Sequence, residues 1–272
     1  MEHPEKKPVV LVIAGHDPVG GAGMQADIEA VAALGGHAAT AVTALTVQDT
    51  RNVSDFTVTA PSLLRAQLDA ILGDLSPSAV KIGMIGSGDN AREIVRALRR
   101  IPQVPVVLDP VLVAGGGGSL ALDDLQRVLI DELLPLSAVT TPNGPEARTL
   151  AGLQDLDACA RVLMRNGAKH VLVTGGHEPG PEVVTRLYGP QGEIAAHAWP
   201  RLPGNYHGSG CTLAAATAAL LAHGNDVETS ARAALDYTWH TLENAQRPGH
   251  GQAIPGRFYA MPAWHGVRRS LP

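Results

Sequence analysis

The stretch Val9-Val10-Leu11-Val12-Ile13-Ala14 is an unbroken apolar run, rich in β-branched residues, that opens into Gly15-His16-Asp17-Pro18-Val19-Gly20-Gly21-Ala22-Gly23. A strand without polar alternation must be covered on both faces. The same order recurs down the chain. Ala39 to Val47 ends in Gln48-Asp49-Thr50-Arg51-Asn52, and Ala79-Val80-Lys81-Ile82 runs into Gly83-Met84-Ile85-Gly86. Val104 to Leu108 delivers Asp109, Ala138 to Thr141 precedes Pro142-Asn143-Gly144-Pro145-Glu146, and His170 to Thr174 precedes Gly175-Gly176-His177. Between these runs lie stretches with helical spacing. The first carries Met24, Ile28, Val31 and Leu34 on one face and stops at Gly35-Gly36; the next carries Leu63, Leu64, Leu68 and Leu72 behind Pro61. Residues 90–100, 122–134 and 156–166 complete the set, with the arginines of 90–100 expected on a solvated face. Phe56 to Thr59 reads as a short strand, and Val183 to Tyr188 with Glu193 to Trp199 as a hairpin. This alternation predicts an α/β, three-layer αβα fold with a mostly parallel central sheet.

With 272 residues and 45% hydrophobic composition the chain can bury one full core, and aromatics at 3% leave that core to Ala, Val, Leu and Ile. No shift in composition divides it, so residues 1–272 are expected to form a single domain, with 1–7 and about 262–272 as peripheral tails. A formal net charge of −5 argues against nucleic-acid and membrane-surface partners. Arg268-Arg269 reads as part of a solvated tail. Cys159 and Cys211 have neither disulfide nor zinc spacing, and the eleven histidines form no His-Glu-x-x-His pattern. The start of the chain is polar and no apolar run reaches spanning length, so the cytoplasm is the expected compartment.

The richest chemistry lies late. His207-Gly208-Ser209-Gly210-Cys211-Thr212 feeds Leu213 to Ala222, a small-residue and leucine segment with strong helix preference. Flexible glycines followed by the unpaired amides of a helix start make an anion site. Cys211 falls where a helix dipole and a bound cation would lower a thiol pKa, which makes it a candidate base; a cysteine used as small filler in a glycine turn is the plain alternative. The early glycine loop fits two nucleotide motifs badly. Gly21-x-Gly23-x-x-Ala26 with Asp49 downstream resembles a dinucleotide fingerprint, but Gly15 to Gly20 intervene after the strand. Gly15 and Gly20 have the P-loop interval, but Gly21-Ala22 stand where Lys and Ser/Thr are required.

Polar residues gather at strand carboxyl ends, where open parallel sheets bind ligands. Gln48 is a candidate hydrogen-bonding residue, and Asp27 is a ligand contact or a first-turn carboxylate. Asp109 beside Gly115-Gly116-Gly117-Gly118 suggests a metal or phosphate site under a lid, while Asp109-Pro110 equally suits an ordinary turn. Asn143 and Glu146 suit magnesium held through water, and equally suit a helix cap. Together these junctions point to a nucleoside triphosphate with magnesium, a small-molecule pocket at Gly15, Asp27, Gln48 and Met84, and phosphoryl transfer.

The chain resembles the hydroxymethylpyrimidine/phosphomethylpyrimidine kinases of the ribokinase-like superfamily nearly end to end. The carriers are Ala14 to Asp27, Thr43 to Gln48, Lys81 to Met84, Leu108 to Val111, Thr141 to Ala147 and His207 to Thr212. The resemblance implies a ribokinase-like fold, with Gly15, Asp27, Gln48 and Met84 lining an aminopyrimidine pocket. The Gly208, Ser209, Gly210 and Cys211 amides would form the anion hole, with Cys211 where sugar kinases of the superfamily place an aspartate base. It further implies nucleotide contacts at Thr174, Gly176 and His207 and a magnesium site at Asp109, Asn143 and Glu146. The implied reaction moves the ATP γ-phosphate to the hydroxymethyl group and then adds a second phosphate, commonly in a homodimer.

Three positions depart from the family pattern. Ala114 and four glycines stand where a flap lysine is usual, Thr174 where lysine is frequent before Gly-Gly-His, and Tyr206 where threonine is usual. Two fewer cations near a polyphosphate should weaken the second phosphorylation most. Pyridoxal or pyridoxine kinase, and a catalytically weak pyrimidine-binding sensor, are the rival readings.

Overall fold

The computed structural model describes residues 7–112 and 124–261. Parallel strands β1 (Val9–His16), β2 (His37–Gln48), β4 (Ala79–Ile82), β5 (Val106–Leu108), β6 (Val139–Thr140) and β7 (Val171–Val173) form the centre of a nine-stranded sheet. Its order is β3-β2-β1-β4-β5-β6-β7-β8-β9. Antiparallel β3 (Val53–Val58) closes one edge, and the hairpin β8 (Glu182–Gly189) and β9 (Gly192–Pro200) the other.

Strand periodicity sorts the core. Leu11 and Ile13 of β1, with Val80, Ile82, Val106 and Leu108, face the layer of α2 (Pro61–Asp74), α3 (Gly88–Leu98), α4 (Leu125–Val128), α5 (Gly144–Ala151) and α6 (Leu156–Arg165). Val10, Val12 and Ala14, with Val107, face α1 (Gly23–Ala33), α7 (Ser209–Ala222) and α8 (Val227–Glu243). The helix α7 is buried nearly all round, and its alanines let it lie against both the sheet and α1.

The three-layer expectation is met, and several local ones are corrected. Ile28 is 40% exposed, because the buried face of α1 runs through Met24, Ala26, Asp27, Ala30 and Val31. Leu63 is likewise exposed, while Leu64 and Leu68 enter the core. The far half of β2 is not buried: Leu45 and Val47 point outward on the stretch paired with β3, where β1 ends at His16 opposite Leu45. The arginines of 90–100 lie on a solvated face, as expected, and pair there with acidic side chains. Arg96 meets Glu93 and Asp69, Arg100 meets Asp69, and Arg65 meets Glu93, tying α2 to α3. Beyond α4, the expected helix continues as one π turn, Leu129–Leu133, and one 3-10 turn, Leu134–Leu136. The four-glycine flap with Ala114, residues 1–6 and residues 262–272 lie outside the described residues. No helix among the described residues is long and apolar enough to cross a membrane.

Candidate active site

Chain order reverses direction across the sheet at β1 and β4, and a cleft of about 470 Å³ opens at the carboxyl ends of the strands around that point. Its lining includes Gly15, Gln48 and Met84 at one end and Asp109, Asn143, Glu146 and Thr174 at the other, with Gly208 to Cys211 between. A second lobe of about 390 Å³ continues beyond Ser209 and Gly210, walled by Gly176, Trp199, Leu213, Leu235 and Trp239. Thr174, Asn143, His177 and Tyr206 border both lobes.

The junction between the lobes is the start of α7. Gly208 is its N-cap, at φ +89°, and no side chain caps the helix, so the first amides have no side-chain partner. The left-handed turn requires glycine, and a Cβ there would also overlap the Gly21 carbonyl. Two glycine loops are therefore pressed together, and Asp17 with His207, and Arg257, hold them. Asp17 accepts hydrogen bonds from the Val19 and Ala22 amides at 2.9 and 2.7 Å, and its Oδ2 lies 2.9 Å from His207 Nε2. Burial opposes the Asp17 charge, but these bonds prevail and hold its carboxyl below the usual range. Arg257, 2% exposed, bonds the Thr212 hydroxyl at 2.9 Å, the Gly20 and Gly21 carbonyls, and Glu29 at 2.9 Å. Nothing in the local sequence marks Arg257, because its partners lie far away in the chain.

At the first end, Thr46 donates to the His16 carbonyl at 2.8 Å and accepts from Gln48 Nε2 at 2.7 Å. That chain orients the Gln48 amide and leaves its carbonyl oxygen available. Met84 packs with Ala44, Val53, Phe56 and Val111, and its sulfur lies where a Gly15 Cβ would come within 3.0 Å. The Met84 carbonyl accepts a bond from the Thr43 hydroxyl.

Asp27 is the main correction. It does not reach the cleft: it is fully buried on α1 and pairs with Lys81 Nζ at 2.8 Å. Burial lifts its carboxyl above the usual range despite the pull of Lys81. Lys81, overlooked in the sequence reading, lines the cleft. A lysine inside an otherwise apolar strand was the available signal. His207, grouped with the nucleotide contacts, borders only the first lobe and is turned to Asp17. The thiol expectation also reverses. Burial pushes Cys211 up to about 12, with Asp109 and Asp27 adding to the rise and Lys81 opposing it.

At the other end, Asn143 and Glu146 are a reciprocal helix cap: Asn143 Oδ1 accepts the Glu146 amide at 2.9 Å, and Glu146 Oε2 accepts the Asn143 amide at 3.0 Å. The Asn143 oxygen is thus committed to α5, while the second Glu146 oxygen remains. Burial and the neighbouring Asp109 charge raise Glu146 to about 8; burial raises Asp109 to about 6. Two buried carboxylates bordering one cleft form a hard-oxygen pair that suits a magnesium ion completed by water and phosphate. No cluster of three or more His, Cys, Asp or Glu side chains among the described residues forms a metal cage.

The sheet order and cleft define a ribokinase-like α/β protein, and solved structures agree. The chain is 28% identical to Staphylococcus aureus pyridoxal kinase solved with AMP-PCP and pyridoxal, with a TM-score of 0.84 over 94% of this chain and 96% of that one. Residues 17–255 match the phosphomethylpyrimidine kinase family, and the chain belongs to it. It is 40% identical over 250 residues to the hydroxymethylpyrimidine/phosphomethylpyrimidine kinase of Rhizobium meliloti, covering 90% of this chain and 94% of the relative. It is also 39% identical over 248 residues to the thiamine biosynthesis multifunctional protein ThiED of Corynebacterium efficiens, covering 89% of this chain and 33% of that longer protein.

Proposed function

We propose that this chain is an ATP-dependent kinase that phosphorylates 4-amino-5-hydroxymethyl-2-methylpyrimidine and then its monophosphate, in thiamine biosynthesis. The observation that carries the reading is the uncapped start of α7 at the junction of two lobes. The aminopyrimidine occupies the first lobe. There the Gln48 carbonyl oxygen accepts from the exocyclic amine, its remaining amide N–H meets a ring nitrogen, and Val53, Met84 and Val111 cover the ring. The adenosine moiety occupies the second lobe among Trp199, Leu213, Leu235 and Trp239, beside Thr174 and Gly176.

The polyphosphate then lies over the Ser209, Gly210 and Cys211 amides, which stabilise charge on the transferring group in a loose transition state. Asp109 and the free oxygen of Glu146 would hold magnesium, which when bound neutralises phosphate charge. Cys211 is the proposed acceptor of the hydroxymethyl proton. A thiol near 12 holds its own proton, so this role requires that proton to pass to solvent water as the ligands bind, leaving a thiolate to accept the hydroxymethyl proton. Thr174, lacking the frequent lysine, makes the second phosphorylation the slower step. A homodimer is proposed, supported by the outward apolar residues Leu45 and Val47, and the cytoplasm as compartment.

The test is ATP consumption with magnesium and hydroxymethylpyrimidine, its monophosphate, or pyridoxal in separate reactions. Turnover of both pyrimidines is the expected result. Turnover of pyridoxal alone would move the assignment to a pyridoxal kinase, and pyrimidine binding without turnover would make the chain a sensor.

A further inference from the structure

We propose that Lys81 is the fixed cation of phosphoryl transfer in this chain, held by Asp27 from behind and acting on the transferring group from beneath the floor of the cleft. The inference rests on the kinase reading above.

Register places Lys81 opposite Val12 of β1 and Val107 of β5, both of which face the α1 and α7 layer. An apolar residue is what those neighbours call for. The ammonium is instead fully buried there, and Asp27 approaches from α1 to meet it at 2.8 Å. Room for the amine comes from Gly83, whose Cβ would stand 2.6 Å from Lys81 Nζ.

A buried ion pair is a poor device for stability, since well-packed apolar residues of similar volume usually serve as well or better. The Asp27 carboxylate is itself incompletely satisfied, with Oδ1 lacking a partner among the described residues. What the pair supplies and an apolar pair could not is a charge at a set place. That place borders the cleft together with Asp109 and Cys211. Among the described residues lining the first lobe, Lys81 is the only lysine or arginine.

The two nearby guanidinium groups are committed elsewhere. Arg257 spends its donors on Thr212, Gly20, Gly21 and Glu29, and Arg201 spends its own on the Gly176, Glu178, Gly180 and Glu182 carbonyls. With threonine at 174, Lys81 is the cation left to serve the phosphoryl group among these residues. Burial disfavours its charge, but Asp27, with Cys211 and Asp109, outweighs this and holds the amine above the ordinary lysine range.

The experiment compares the full chain with Asp27→Asn and with the double variant Lys81→Met/Asp27→Leu, which exchanges the ion pair for apolar volume. For each, melting temperature, kcat, KM for ATP and hydroxymethylpyrimidine, and affinity for ADP with and without aluminium fluoride are measured. The double variant should fold, keep both KM values within about threefold, and lose roughly 10²–10³-fold in kcat, the scale of one lost charge-stabilising group. Its preference for ADP–aluminium fluoride over ADP should fall by a similar factor, a readout that a purely structural pair would not move. Asp27→Asn removes the counter-charge that keeps the buried amine protonated, so it should lower kcat near neutral pH and recover part of it toward acid pH, where the amine regains its proton.

A double variant with near-normal kcat, or Asp27→Asn with an unchanged kcat and an unchanged pH profile, overturns the assignment. If the double variant does not fold, Gly83→Ala displaces the amine without removing charge, and an unchanged kcat there overturns it equally. An inactive parent chain would instead break the kinase reading.

Discussion

Two helix starts border the same cleft and differ in how they end. The first turn of α5 is closed by its own side chains: Asn143 and Glu146 cap each other's amides, and Pro145 has no amide to satisfy. The first turn of α7 has Gly208 as N-cap, no capping side chain, and three amides facing the junction of the two lobes. The closed end is finished without a ligand. In the proposed reading an anion bound at the open end would recover hydrogen bonds that no side-chain cap supplies there. Electrostatics differ in the same sense. Beside the closed end stand two acidic side chains, Asp109 and Glu146, the proposed magnesium pair; beside the open end stand a thiol and the Lys81 ammonium.

Changes at the open end should cost turnover, and changes at the closed end magnesium affinity or stability. Cys211→Ala should lower turnover by roughly 10²–10⁴-fold, the range for a positioned acid–base group, with KM for ATP little changed in steady-state assays. Near-normal turnover would leave the thiol as a wall of the hole only. Gly208→Ala should lower kcat by about 10²–10³-fold, because the positive φ and the overlap with the Gly21 carbonyl force the amides out of place. A normal kcat with an unchanged melting temperature would show that the hole does not depend on this turn.

Glu146→Gln sharpens the contrast by keeping the capping geometry while removing the carboxylate charge. The magnesium concentration giving half-maximal turnover should rise on the order of tenfold, with the melting temperature unchanged or higher. An unchanged magnesium titration would remove Glu146 from the metal site. Asn143→Ala, the smallest effect, should cost about 1 kcal/mol, or roughly 2–4 °C in a thermal melt. A large loss of kcat without that loss of stability would mean that Asn143 serves the ligand more than the helix.

Much of this was legible in one dimension because it is local. The proposed anion hole needs glycine, a turn and a helix start within six residues, and Gly208 to Cys211 stand in that order, with the turn and the helix start where the sequence places them. Gly15, Gln48, Met84, Asp109 and Thr174 follow apolar runs, and a parallel sheet brings all such carboxyl ends to one edge. Asn143 and Glu146 were readable only as an ambiguity, since a cap and a metal pair share the same spacing. The structure shows that the cap is made, and that Glu146 retains an oxygen beyond it.

Other features depend on groups that meet from distant parts of the chain. Asp27 sits in a stretch that reads as ligand-binding, yet helical rotation turns it inward to Lys81, 54 residues away. Asp17 and His207, and Arg257 with Gly20 and Gly21, join glycine loops from opposite ends of the chain. The Cys211 pKa shows the same limit: helix position alone argues for a lowered value, and the measure of burial that reverses it exists only once the layers have packed. Sequence by itself determined the layered α/β fold, the glycine turns and the residue types at the strand ends, because periodicity, backbone freedom and strand-end chemistry are local properties. Which charges pair, which are spent on the fold and which remain for a ligand was decided only by the tertiary structure, because desolvation and electrostatic pairing depend on distance in space.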